Sequence, residues 1–151
     1  MELNFRPASE QDRAFLYAVH CVTMREVIEK TWGWDEDWQR RDFDRRFREY
    51  LALIIECDGQ AVGGLLLEWK SDSLYIHELQ LLPEYQSQGI GTEVIGKVIE
   101  QAAARRLPVT LSVVPANPRA RHLYERLGFE VTTTEPPFIR MRYGGDGPKL
   151  E

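Results

Sequence analysis

The residues best placed to do chemistry stand between a proline and a helix. Gln86-Ser87-Gln88-Gly89-Ile90-Gly91-Thr92 follows an apolar run ended by Pro83 and precedes a helix-periodic segment. The first turn of any helix has backbone N–H groups without intrahelical acceptors, and the macrodipole adds partial positive charge there. A phosphate or pyrophosphate satisfies both. Gly89 and Gly91 let the backbone approach such an anion because no Cβ intrudes, and Thr92 adds a hydroxyl. The plainer alternative is an ordinary tight turn before a helix. Two rival phosphate loops are excluded by residue type, since no Gly-Lys-Ser/Thr and no G-x-G-x-x-G follows the strand.

A second pattern lies downstream. Asn117 to Phe129 reads N-x-x-A-x-x-L-Y-x-x-x-G-F, with Ala120, Leu123, Tyr124 and Leu127 on one helical stripe and Gly128 placed to end the helix. From periodicity alone, Tyr124 is better explained by core packing on this stripe than by chemistry.

The elements that must carry these residues follow from pattern and turn chemistry. Leu3 to Arg6 is a strand ended by Pro7. Ser9 caps a helix bearing Phe15, Leu16, Val19, Val27 and Ile28 on its apolar side. Asp35 caps a second helix with Trp38, Phe43, Phe47 and Tyr50 inward. Strands Leu51 to Cys57 and Gln60 to Trp69 flank the hairpin signal Asp58-Gly59, and Leu74 to Leu82 is a third strand. A helix then runs to about Arg106 with Val94, Ile95, Val98, Ile99 and Ala102 buried. Val109 to Val114 is a strand, Pro118 to Leu127 a helix, and Phe129 to Thr134 and Phe138 to Tyr143 close the chain as strands. The order β-α-α-β-β-β-α-β-α-β-β predicts an α/β fold with a mixed sheet and helices on both faces. Residues 1–143 are expected to form one domain, with 144–151 a flexible tail rich in turn residues.

Composition narrows the function. The 151 residues carry a formal net charge of -5, which argues against nucleic acid as a partner. The acidity suits an amine-bearing partner only weakly. Cys21 and Cys57 show no metal-ligand spacing and read as reduced core thiols, so no metal is expected. No apolar run approaches the roughly 20 residues of a membrane span, and no signal peptide is evident. A cytoplasmic protein without a membrane partner is the expectation.

The two motifs together change the reading. L-x-L-x-P-x-x-Q-x-x-G-x-G at Leu79 to Gly91, followed after a helix and a strand by the Asn117 to Phe129 pattern, closely resembles the GNAT superfamily of N-acetyltransferases. The resemblance extends over nearly the whole chain and implies a central sheet whose strands splay to admit acetyl-CoA. It implies that backbone groups of Leu79, Gln80 and Leu81 pair with the pantetheine arm. Gln86, Ser87, Gln88, Gly89, Ile90, Gly91 and Thr92 would hold the pyrophosphate, Asn117 would bond the cofactor, and Tyr124 would donate a proton to the departing thiolate.

A primary amine of a small molecule or peptide would attack the thioester directly, and it must first lose a proton. Glu78 is the first candidate for that base and His77 the second, on opposite faces of one strand. The alternative for Glu78 is a solvated carboxylate. Ser112 stands where some relatives carry a glutamate. The resemblance places the acceptor beside the connection between the first two helices, where Trp32, Trp34 and Asp35 suggest an aromatic, negative pocket. The competing explanation is helix-end packing and capping. A homodimer is expected from the resemblance alone. The alternative to an enzyme is a non-catalytic acyl-CoA sensor built on the same fold.

Overall fold

The computed structural model describes residues 2–144, and the expected tail from 145 onward lies outside the described residues. Seven strands and four α-helices follow in the predicted order. They are β1 (Leu3–Pro7), α1 (Arg13–Thr31), α2 (Glu36–Glu49), β2 (Leu51–Cys57), β3 (Gln60–Trp69), β4 (Leu74–Leu81), α3 (Ile90–Ala104), β5 (Val109–Val113), α4 (Pro118–Arg126), β6 (Glu130–Glu135) and β7 (Phe138–Tyr143). The strand order is β1-β2-β3-β4-β5-β7-β6, and β4 with β5 is a parallel pair. The chain divides into two compact units. One comprises the chain up to Leu67 with His77–Gly91, the other Glu68–Ile76 with the chain from Thr92 onward. Strands β3 and β4 therefore contribute residues to both.

In the first unit, β1, β2 and β3 form an antiparallel meander. The β2–β3 hairpin turns through Asp58 and Gly59, both at positive φ (52° and 83°), as a two-residue turn matched to strand twist requires. Ser9 opens a short 3-10 turn ahead of α1 rather than α1 itself. Asp12 accepts the Ser9 amide at 2.8 Å and is held by Arg6 at 2.8 and 3.0 Å. Leu16 of α1, Phe43 of α2 and Ile54 of β2 form the buried centre, flanked by Phe15, Tyr17, Phe47 and Ala52.

Trp38 departs from expectation, being 52% exposed. The Asp35 carboxylate accepts the Trp38 amide at 3.0 Å and so sets the phase of α2. The inward stripe then starts at Gln39 and continues through Phe43, one residue and about 100° away from Trp38.

Two glycines fix how closely this unit packs. A methyl group at Gly63 would collide with the backbone carbonyl of Gln80, and one at Gly64 with the Leu16 side chain. We expect Gly63→Ala to cost about 1–3 kcal/mol in urea unfolding, because a backbone carbonyl cannot step aside. Gly64→Ala should cost less, since the end of a leucine can rotate. Equal losses would contradict this distinction.

In the second unit, β4 pairs with β5 over Leu74–Ile76 against Val109–Leu111, a register of three residue pairs. Strand β7 runs antiparallel to both β5 and β6. The predicted rhythm of α3 holds for Val94, Ile95, Val98 and Ala102, at most 1% exposed, while Ile99 at the edge of the stripe is only half-buried. Gly128, at φ 99°, ends α4, and the Phe129 amide closes back on the Tyr124 carbonyl at 2.9 Å.

Candidate active site

The residues singled out by sequence fall into both units. In the first, β4 leads through a 3-10 turn (Pro83–Tyr85) into the glycine loop and the start of α3. The Leu82 amide is anchored to the Val62 carbonyl at 2.9 Å, and Ile90, 1% exposed, pins the helix start. Between these anchors Ser87, Gln88 and Gly89 are exposed, with Ser87 at φ 62° and Gly89 at φ 84°. Left-handed residues in such a run turn backbone N–H groups toward a common concavity, the geometry of an anion nest. This backbone fits a pyrophosphate. The side chains of Gln86 and Gln88 also tie the loop to its own backbone. They donate to the Leu81 and Glu84 carbonyls at 2.9 and 2.7 Å.

Strand β4 carries Glu78 into a buried charge network that the sequence did not disclose. Glu78 Oε1 lies 2.6 Å from an Arg46 guanidinium nitrogen on α2 and 3.3 Å from His20 Nδ1 on α1. His20, 2% exposed, has its other nitrogen 3.0 Å from Gln39 Oε1. Burial opposes ionisation of Glu78, but contact with His20 and the Arg46 charge outweigh it and hold the carboxyl down to about 2. Burial likewise disfavours a charged His20, yet the facing Glu78 carboxylate raises its pKa above the usual histidine value. A carboxylate so firmly ionised is a weak proton acceptor, because an efficient base titrates near the working pH. That environment argues against Glu78 as the base. His77 sits on the opposite side of the strand, its ring stacked on Tyr50 at 3.8 Å.

The signal for this network was present but faint. His20 continues the Leu16–Val19 stripe of α1, and Arg46 lies three residues after Phe43 on α2. Gln80, two residues on from Glu78, is also buried, and its Nε2 has no hydrogen-bond partner among the described residues. Both line a narrow space walled by Leu16, Phe43, Phe47 and Ala52.

The helix connection is satisfied internally. Trp34 donates to Glu36 at 2.8 Å, and the Arg25 guanidinium lies 5.1 Å from the Trp34 ring centroid. Glu36 also accepts from Tyr17 and Arg40, and Asp35 is the α2 cap. Trp32 is exposed. The three tryptophans do not share one buried wall, because Trp32 and Trp38 face solvent.

In the second unit, Asn117 caps α4, its Oδ1 accepting the Ala120 amide at 3.2 Å, with Pro118 at the first helical position. Tyr124 is 7% exposed and packs edge-on against Phe129 at 5.3 Å. Burial alone pushes its phenol well above the ordinary tyrosine value, so it stays protonated throughout the working pH range. Ser112 on β5 is not isolated, as both Tyr75 and Arg140 donate to its hydroxyl oxygen at 3.1 Å.

Comparison with known proteins accords with this arrangement. A family model described as the acetyltransferase (GNAT) family matches residues 15–129. A mouse thialysine N-epsilon-acetyltransferase is 29% identical across 66% of this chain and 65% of its own length. A ribosomal protein bS18-alanine N-acetyltransferase of Haemophilus influenzae is 30% identical across 64% of this chain and 66% of its own length. The match thus spans just under two thirds of each of these relatives. The crystal structure of a PaiA N-acetyltransferase from Thermoplasma acidophilum in complex with coenzyme A superimposes with a TM-score of 0.73 at 19% identity, covering 95% of this chain and 99% of that one.

Proposed function

Because the chain belongs to the acetyltransferase (GNAT) family, we propose that it transfers an acetyl group from acetyl-CoA to a primary amine of a small molecule or peptide. The observation that carries this reading is the exposed Ser87–Gly89 backbone with its left-handed residues, in the position the family motif gives to the pyrophosphate. Acetyl-CoA would supply an activated thioester. The chain's own part is to hold it through the backbone of Leu79, Gln80 and Leu81, the amides from Ser87 to Thr92, and Asn117. The amine then attacks directly, with Tyr124 giving its hydrogen bond to the departing sulfur. Orientation and backbone donors supply most of the acceleration, and the scheme calls on no metal.

We assign the proton-accepting role to His77 in preference to Glu78, since Glu78 is pinned as a carboxylate by His20 and Arg46. In His77→Phe the acidic limb of the pH–rate profile should disappear; a profile unchanged in shape would return the role to water. Trp34→Ala tests whether the helix connection borders the acceptor. It should raise the acceptor KM far more than the acetyl-CoA KM, and equal effects on both would remove Trp34 from the acceptor site.

The relatives' names offer two acceptor types for trial, a lysine-like amine and a protein N-terminal alanine. Cys21 and Cys57 form no disulfide among the described residues, which accords with a reducing, cytoplasmic setting. The homodimer in this reading rests on family resemblance alone. The deciding experiment follows thiol release from acetyl-CoA across a panel of polyamines, amino acids and peptides. Release with at least one amine supports the enzyme. Thermal stabilisation by coenzyme A without release for any of them favours the acyl-CoA sensor.

A further inference from the structure

The second unit holds a cleft that no residue of the acetyl-transfer scheme lines. Its volume is about 450 Å³, and its walls are Ile99, Ala103, Leu107, Val109 and Tyr143, with Arg106 as the one charged side chain. Small-molecule sites commonly run to roughly 300–1,000 Å³. The sheet side of the cleft is fixed by packing. Val109 pairs with Tyr143 across the β5–β7 ladder and with Leu74 of β4 on its other side. The Tyr143 ring leans on Phe129 at 5.5 Å between centroids, and it sits so close to Gly128 that a methyl group there would come within 3.1 Å of it. Neither register partner of Val109, and no residue lining the cleft, carries a carboxylate.

Arg106 is the unexpected member. The Leu107 amide closes on the Ala102 carbonyl and the Arg106 amide on the Ala103 carbonyl, each at 2.9 Å, the paired bonds of a Schellman helix end. Such an end turns through a residue in the left-handed region, where glycine is usual because a Cβ is penalised. Here that residue is Arg106, at φ 59°. The helix end does not need its charge. Arg105, one residue earlier and outside the left-handed region, already brings a cation to the C-terminus, with its guanidinium carbon 3.9 Å from the Trp69 ring centroid. An arginine kept where glycine would be easier points to a use for its side chain.

The Arg106 guanidinium and the Tyr143 hydroxyl have no hydrogen-bond or ion-pair partner among the described residues. Two unpaired donors, one of them permanently charged, select a ligand head that accepts and is negative, and a guanidinium fits a carboxylate well. The aliphatic walls select a hydrocarbon body, which gains by leaving water. We propose that this cleft binds an aliphatic carboxylic acid, its chain against Ile99, Ala103, Leu107 and Val109 and its carboxylate on Arg106 and Tyr143. The site goes beyond acetyl transfer and does not depend on it.

The test titrates octanoate into the full chain while the methyl resonances of Ile99, Leu107 and Val109 are followed by NMR. Saturable shifts centred on these methyls are expected, with octanamide bound at least about tenfold more weakly because it lacks the charge. Arg106→Gln should abolish that preference. Arg106→Gly suits the turn, so it should raise the Tm of the free protein while weakening octanoate at least about tenfold. Equal affinity for octanoate and octanamide, or octanoate binding undiminished in Arg106→Gly, would overturn the site. Shifts that fail to saturate or scatter over the surface would do the same. Nuclear Overhauser contacts from the three methyls to Leu150 in the ligand-free protein would give the cleft to the chain's own end, and that too would overturn the proposal.

Discussion

Arg46→Met should destabilise the protein by about 3–5 kcal/mol, the largest loss we expect from a single side chain outside the apolar core. Arg46 and Glu78 are 15% and 13% exposed and meet at 2.6 Å. Removing the guanidinium strands a carboxylate that burial already penalises and leaves only His20 to neutralise it. A charge in that position either stays ionised at high cost or takes up a proton. Chemical denaturation measures the loss. A double-mutant cycle with Glu78→Gln should show strong coupling, because the second change removes the stranded charge. Additive losses would mean that the pair is incidental to stability.

The same network gives stability a defined pH dependence. Glu78 titrates lower in the folded than in the unfolded chain, so its contribution is present above the unfolded value of about 4.3 and is lost as pH falls toward about 2. His20 is shifted the opposite way. Its contribution is complete below the unfolded value of about 6.5 and is lost as pH rises through the folded value. Both are intact between those limits, so stability at pH 5–6 should exceed that at pH 8, and His20→Gln should flatten the alkaline side of the curve.

Tyr124→Phe should lower kcat by about 10²-fold while leaving acetyl-CoA affinity nearly unchanged. The isosteric change keeps the edge-on packing against Phe129 and removes only the hydroxyl, which forms no hydrogen bond to a described residue. The direction of its pKa shift sharpens the role. A phenol raised by burial is always protonated but gives up its proton less readily than a thiol, whose pKa is about 8.5. Its service is therefore a hydrogen bond that strengthens as charge grows on sulfur, with complete proton transfer left to solvent. An effect near the lower end of the range for general acids follows. Loss of kcat together with loss of coenzyme A binding would instead indicate a packing role, and an unchanged kcat would remove Tyr124 from catalysis.

Local chemistry made much of this legible in advance. Asp58-Gly59 announced a two-residue hairpin because both positions tolerate positive φ, and the structure places them there. The rhythm of Val94, Ile95, Val98 and Ala102 gave α3 and its buried side. The glycine loop and the Asn117 to Phe129 pattern were visible because phosphate binding and helix capping depend on neighbours in sequence. What sequence concealed depends on neighbours in space. Glu78 reads as a strand carboxylate until α1 and α2 deliver His20 and Arg46 to it. Trp38 looked inward because its phase was counted from the apolar residues, whereas the Asp35 cap sets it.

The central claim is transfer of an acetyl group, and isotope labelling tests it most directly. The protein is incubated with acetyl-CoA labelled in the acetyl carbonyl carbon and an amine that releases thiol, and the label is located by NMR. We predict that it appears as an amide on the amine in the same amount as the free coenzyme A formed. Label recovered as free acetate, or retained on coenzyme A for every amine tried, would contradict acetyl transfer as the function of this protein.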